Sequence, residues 1–74
     1  MDDVIKSARI SVERKQFFFE LRRNVRGMFL RVTEDVNGRR DTIIVPASGL
    51  NEFLDAIKEM TEASSNAPSP SSIS

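Results

Sequence analysis

Alternation of apolar residues through the first half of the chain constrains its fold more than any other feature. Phe17, Phe19 and Leu21 occupy every second position of residues 16–24, and the same period of two recurs in residues 8–12 and 28–34. This period is typical of β-strands, whose successive side chains point to opposite faces. We therefore predict three strands joined by short turns, one at Arg14-Lys15 and one at residues 25–27, where glycine tolerates the positive φ of a tight turn.

A fourth strand and one helix follow in the sequence. Asn37-Gly38 is a strong hairpin signal, and it precedes the β-branched run 42–45. Pro46 ends that run, and Ser48 is a candidate N-cap for a helix that reaches residue 60 or 63. The apolar residues of this helix recur at the spacing of one helical stripe, namely Leu50, Phe53, Leu54, Ile57 and Met60. The prediction is an α+β fold, an antiparallel four-stranded β-meander followed by one α-helix.

The pattern divides the chain into three parts. The strands and the helix make one β-β-β-β-α repeat over residues 8–63, and we see no second copy. Residues 1–7 show no clear period and are expected to be a flexible lead-in. Residues 64–74 are rich in Ser and Pro, a composition typical of a disordered tail or linker.

The composition argues against most enzyme chemistry. The chain has neither cysteine nor histidine, which removes thiol zinc ligands, disulfides and the imidazole base. No apolar run approaches the roughly 20 residues that a membrane-spanning helix needs, and the start Met1-Asp2-Asp3 does not resemble a signal peptide. We expect an intracellular protein that is not an enzyme, with no catalytic residue, metal site, cofactor, small-molecule substrate or membrane contact.

Basic residues are concentrated in the predicted strands. Residues 6–31 contain eight Lys or Arg, and their only acidic residues are Glu13 and Glu20. A basic stripe on one element suits a polyanion. A solvated surface, with arginine serving solubility, explains the same charges. Charge alone leaves both interpretations open.

The two predicted faces of the sheet differ in character. One face is apolar and is too large for a single helix to cover, so we expect a homodimer or a pairing with a sister repeat. Its members are Ile10, Val12, Phe17, Phe19, Leu21, Met28, Leu30, Val32, Ile43 and Val45. The other face carries Phe18 and Phe29 among Arg9, Arg22 and Arg31. Such a face suits single-stranded nucleic acid, because bases stack on aromatic rings. The alternative is that both rings are buried in a dimer interface.

Three segments, taken together and in order, resemble the PUR repeat of the Pur-alpha family. They are QFFFEL at 16–21, NVRGMFLRV at 24–32 and IIVPASGL at 43–50, and the likeness spans about residues 8–60. The resemblance implies a Whirly-like fold completed by pairing with a second repeat. It also implies sequence-preferring binding of single-stranded, purine-rich DNA or RNA in transcription, replication or RNA regulation, in the nucleus and cytoplasm.

The resemblance also indicates which residues would bind nucleic acid. In that family a basic strand end, an Asn-x-Arg/Lys-Gly turn and a following aromatic contact the strand, and the matching positions here are Arg22, Asn24, Arg26, Phe29 and Arg31. The asparagine amide would read a base edge, the phenylalanine would stack or wedge, and the arginines would hold phosphates or guanine edges. Two alternatives remain open: a dimerisation module of the same type with little nucleic-acid binding of its own, and a single-strand-binding transcriptional coactivator. Family members usually hold three repeats, and the sequence leaves open which repeat this is and whether it is a fragment.

Overall fold

The computed structural model describes residues 2–67, which form one sheet and one long helix. The elements are β1 (Asp3–Val12), β2 (Lys15–Asn24), β3 (Gly27–Val36), β4 (Arg39–Pro46), a 3₁₀ turn (Ala47–Gly49) and α1 (Leu50–Asn66). Neighbouring strands are antiparallel, and their order in the sheet is β1-β2-β3-β4. The predicted four-stranded β-meander followed by one α-helix is confirmed.

The strand register decides which side chains share a face of the sheet. Phe19 of β2 pairs with Ala8 and Val32, whereas Phe18 pairs with Arg9 and Thr33. Because side chains alternate along a strand, these two sets lie on opposite faces. The apolar residues of one face are Ala8, Ile10, Val12, Phe17, Phe19, Leu21, Met28, Leu30, Val32, Ile43 and Val45. The aromatic–basic face includes Ser7, Arg9, Phe18, Glu20, Arg22, Phe29, Arg31, Thr33, Asp35, Arg40, Thr42 and Ile44.

Two of the hairpin turns show how local chemistry sets that register. Asn37 and Gly38 have φ of 54° and 87°, the pair of positive values that a type I′ turn requires. The first turn lies at Glu13-Arg14, one residue before its predicted place, and Glu13 has a φ of 56°. Lys15 already belongs to β2, so the expected Arg14-Lys15 turn is corrected by one residue.

The first strand begins at Asp3, so the structure differs from the flexible lead-in predicted for residues 1–7. Val4 and Lys6 pair with adjacent residues of β2, and the register shifts between them. Ile5 is therefore the extra residue of a β-bulge. The bulge interrupts the period of two, which explains why the sequence pattern failed to show the start of the strand.

The helix also departs from prediction at both ends. Ser48 is not its N-cap: it lies in the 3₁₀ turn, Gly49 takes the N-cap position, and no side chain forms a capping hydrogen bond. At the other end α1 continues to Asn66, so residues 64–66 are helical although they were predicted to be tail. The remainder of that tail, residues 68–74, lies outside the described residues. No helix within residues 2–67 is long and apolar enough to cross a membrane.

The apolar face and the helix do not make a closed core by themselves. Within residues 2–67 no hydrophobic side chain is fully buried. A cleft of about 570 Å³ is lined by residues of both the sheet and the helix, including Phe17, Phe19, Phe53 and Leu54. Leu54 is 50% exposed. As expected from the sequence, one helix leaves much of the apolar face uncovered.

Candidate nucleic-acid interface

The five predicted contact residues lie together at one hairpin. Arg22 and Asn24 are at the end of β2, Arg26 is in the turn, and Phe29 and Arg31 are in β3. Arg22 and Phe29 are direct cross-strand partners. The hairpin therefore carries an amide, an aromatic ring and three guanidinium groups, and of these Arg31 lies nearest the middle of its strand, opposite Glu20.

A concavity of about 390 Å³ lies beside this hairpin, and it has room for a nucleobase. It is lined by Asn24, Arg26, Gly27, Met28, Phe29, Ile44 and Pro46. Gly27 has a φ of 131°, a backbone conformation that essentially only glycine adopts. The glycine thus fixes the shape of the turn that brings Arg26 next to Phe29. Arg22 and Arg31 are not among the lining residues.

Asn24 has a structural role in addition to the predicted one. Its Oδ1 accepts a hydrogen bond from the backbone N–H of Arg26 at 2.9 Å. Such a bond from a side chain to the backbone two residues on stabilises the turn in place of a backbone hydrogen bond. Since the oxygen is used in the turn, the Nδ2 amide remains as the donor for a base edge.

Arg22 is less available to a phosphate than the sequence indicates. Its Nη1 lies 2.7 Å from Oε1 of Glu20, and its Nε lies 3.6 Å from Oδ2 of Asp2. Its side chain is only 21% exposed. A phosphate must compete with these carboxylates for Arg22. Asp2 was missed as a partner because the early start of β1 was missed.

Arg26 and Arg31 differ from Arg22 in their exposure and in their ion pairing. Both are exposed, and in the described part of the chain neither guanidinium forms an ion pair. Neutralising a phosphate with such a group releases condensed counterions and favours binding. We therefore regard these two arginines as the stronger candidates for phosphate contacts.

A second aromatic–basic contact was not among the predicted site residues. The Cζ atom of Arg40 lies 5.6 Å from the centroid of the Phe18 ring, within the range of a cation–π interaction. Oδ2 of Asp35 accepts a hydrogen bond from Nε of Arg40 at 2.9 Å. The registers of the β2–β3 and β3–β4 hairpins together bring Arg40 close to Phe18. The arginine alone gave no signal of this contact in the sequence.

Substitutions at Asn24 should separate its two roles. Asn24→Asp keeps an oxygen acceptor for the Arg26 N–H, so its free energy of unfolding should stay within about 0.5 kcal/mol of wild type. Asn24→Ala should lower that free energy by about 0.5–1.5 kcal/mol, because the turn hydrogen bond is lost. Both variants lose the Nδ2 donor and should bind a purine strand more weakly. Urea denaturation measures the stability difference, and an alanine variant as stable as wild type would contradict the turn role.

Comparisons with known proteins show which family this chain is similar to. The family described as PurA ssDNA and RNA-binding protein matches residues 1–70. "Transcription factor Pur-alpha 1" of Arabidopsis thaliana is 44% identical over 73% of this chain and 18% of its own length. "Transcriptional activator protein Pur-alpha" of Homo sapiens is 34% identical over 78% of this chain and 20% of its own length. "Purine-rich element-binding protein gamma" of Homo sapiens is 29% identical over 80% of this chain and 21% of its own length.

The matches cover only part of each relative's length. The chain spans about a fifth of the length of each of these relatives. Their names describe transcription factors or activators and an element-binding protein, and none of them names an enzyme. The matching family is described by single-stranded DNA and RNA binding, which agrees with the expectation that the chain is not an enzyme.

Proposed function

The chain belongs to the PurA family of single-stranded DNA- and RNA-binding proteins, and on that premise we propose that it binds purine-rich single strands on the aromatic–basic face of its sheet. The observation that best supports this is the concavity beside the β2–β3 hairpin. There an exposed guanidinium, Arg26, and an aromatic ring, Phe29, line a space of about 390 Å³. Base faces and phosphates are the two features that an unpaired strand offers to such a site.

The proposed roles follow from the chemistry of each side chain. Phe29 stacks on a base or wedges between two bases, and the Nδ2 amide of Asn24 donates to a base edge. Arg26 and Arg31 neutralise phosphates, whereas Arg22 does so only after release from Glu20. Binding needs no cofactor, since the free energy comes from stacking and counterion release. One relative is named for purine-rich elements, which supports a purine preference.

Pairing through the apolar face completes the proposed binding unit. Large apolar side chains of this face and of α1 remain exposed, at 52% for Ile43 in the sheet and at 38% for Phe53 and 50% for Ile57 in the helix. A domain of this size buries a smaller share of its surface on folding than a larger domain does, so covering this face should be a condition of stability. The partner in this proposal is a second copy of the chain or a sister repeat. The cleft between sheet and helix would be filled by the partner's side chains.

The cellular role we propose follows from the binding mode. A protein that holds unpaired purine-rich strands can regulate transcription, and two of the relatives carry names of transcription regulators. This role places the chain in the nucleus. Binding of RNA by the same face would extend its role to the cytoplasm.

Fluorescence anisotropy over a range of salt concentrations tests the proposed function. A labelled purine-rich strand should bind more tightly than its pyrimidine complement or the duplex. The logarithm of its association constant should fall linearly with the logarithm of salt concentration, by about 0.7 for each phosphate contact. Arg26→Gln should reduce the magnitude of this slope by about 0.7, because one phosphate contact is lost. Arg39→Gln, which removes the same charge at the far end of β3–β4, should leave it unchanged.

Two other results would favour the alternatives. A well-folded pair that shows no salt-dependent binding to any strand would be a dimerisation module. Equal affinity for purine and pyrimidine strands would instead fit a single-strand-binding coactivator.

A further inference from the structure

Glu20 is a carboxylate on the face that we propose binds a polyanion. It follows Phe18 on that face of β2 and pairs across the sheet with Arg31 of β3. Its side chain is 35% exposed, and its Oε1 accepts a hydrogen bond from Nη1 of Arg22 at 2.7 Å. A negative charge here weakens the attraction for phosphates. Hydrogen bonds from a base to Glu20 would offset the binding free energy lost to that repulsion.

Glu20 and Phe18 line a second concavity, which is separate from the one at the hairpin turn. It has a volume of about 410 Å³ between β1 and β2, and its lining is Ser7, Ala8, Arg9, Phe18, Phe19 and Glu20. Arg9 is the cross-strand partner of Phe18, and Ser7 is that of Glu20. Arg40, whose guanidinium contacts the Phe18 ring, lines the neighbouring concavity instead. The concavity therefore combines an aromatic ring, a guanidinium and a carboxylate, and Arg40 does not fill it.

We propose that this concavity is a second base position and that Glu20 selects guanine there. The Watson–Crick edge of guanine presents two adjacent donors, N1–H and N2–H₂, and a carboxylate presents two acceptor oxygens to match them. Adenine and cytosine each place an acceptor next to their single amino donor, and that acceptor repels a carboxylate. These edges are open to recognition only when the strand is unpaired.

The spacing on the sheet suits this arrangement. Residues two apart on one face of a strand are separated by about 7 Å, so a purine stacked on Phe18 brings its edge within reach of Glu20. Arg9 is then placed to hold a phosphate of the same nucleotide. The concavity beside the β2–β3 hairpin lies farther along β2. Its ring, Phe29, pairs with Arg22, and Arg22 is four residues from Phe18, a distance of about 13 Å along the strand. One strand can thus occupy both positions. This inference rests on the proposed function and adds the residue that would give a preference for guanine within a purine-rich strand.

Inosine, which lacks the exocyclic amino group of guanine, provides the test. Anisotropy compares a purine-rich single strand with the same strand carrying inosine in place of guanine. Wild type should bind the inosine strand more weakly, on the order of tenfold. In Glu20→Gln the ratio of the affinity for the guanine strand to the affinity for the inosine strand should fall to about one. The glutamine retains an oxygen for Arg22, and the affinity of this variant for the guanine strand should fall toward its affinity for the inosine strand.

A matched variant controls for charge. Glu34→Gln removes one negative charge from the opposite face of the sheet, where Glu34 Oε2 lies 3.1 Å from Nζ of Lys15. This variant should keep the wild-type preference for guanine. Circular dichroism verifies that both variants fold. If Glu20→Gln fails to fold, Glu20→Asp serves in its place, because its shortened carboxylate should also reduce the ratio.

Each outcome decides the inference. An unchanged guanine-to-inosine ratio in the Glu20 variant would overturn it and leave Glu20 as the partner that positions Arg22. A wild-type protein that binds single strands without distinguishing guanine from inosine would overturn it as well. Wild type that binds no single strand refutes the proposed function itself, before any variant is compared.

Discussion

Replacing Phe29 with alanine should weaken binding to a purine-rich single strand roughly five- to 150-fold, the equivalent of about 1–3 kcal/mol. The ring lines the concavity beside the hairpin and pairs across the strands with Arg22 on one side and Pro46 on the other. Alanine offers no π-face for a base. Because Phe29 is only partly buried in the single chain, the sheet should remain folded. Anisotropy titrations at a fixed salt concentration measure the change.

Ile44→Ala is the matched control for the loss of apolar surface. Ile44 lines the same concavity and is 54% exposed, but it has no aromatic ring. Its truncation should change the affinity much less than Phe29→Ala does. Equal losses in the two variants would mean that apolar contact, and not stacking, holds the base. No loss in Phe29→Ala would assign this ring to a structural role.

Leu54→Asp should dissociate the proposed pair of repeats. In a pair, this position faces the filled cleft, and an unpaired buried carboxylate destabilises a protein by about 3–5 kcal/mol. In an isolated chain Leu54 is 50% exposed, and a surface change of this kind alters stability by about 0.5 kcal/mol or less. The loss of stability expected in a pair is therefore severalfold larger than the loss expected in an isolated chain. Sedimentation equilibrium gives the oligomeric state, and thermal denaturation gives the stability.

Two observations control for nonspecific effects of the new charge. Lys58→Asp places the same carboxylate on α1 at an exposed position that does not line the cleft, and it should leave the pair intact. The melting temperature of wild type should rise with protein concentration, as expected when association stabilises the folded state. A wild-type melting temperature independent of concentration, together with a monomeric mass, would contradict the pairing proposal.

The fold was predictable from the sequence because its main signals are local. The alternation through Phe17, Phe19 and Leu21 determined which face each residue takes, and Asn37-Gly38 marked a turn that requires two positive φ values. The start of β1 was not predictable in the same way. The bulge at Ile5 interrupts the alternation. A prediction based on a period of two residues therefore does not extend the strand past the bulge.

The sequence proposed the members of the candidate site, but it could not predict the contacts that their side chains make. The positions of Arg22, Asn24 and Arg26 followed from the resemblance to the family. That Arg22 is already paired with Glu20 depends on side chains two residues apart on one strand. That Arg40 approaches Phe18 depends on the register of the β3–β4 hairpin. Interactions of this kind are set by tertiary geometry, and no single segment of sequence contains them.

We propose that one face of the sheet binds the strand while the other face pairs with a second repeat. The five phenylalanines report on it directly, since Phe18 and Phe29 lie on the aromatic–basic face, Phe17 and Phe19 on the apolar face, and Phe53 on α1. Fluorine NMR of protein labelled with fluorophenylalanine follows all five rings during titration with a purine-rich single strand. The resonances of Phe18 and Phe29 should shift, and those of the other three rings should not. Shifts confined to Phe17, Phe19 and Phe53 would show that the strand binds the face proposed for pairing.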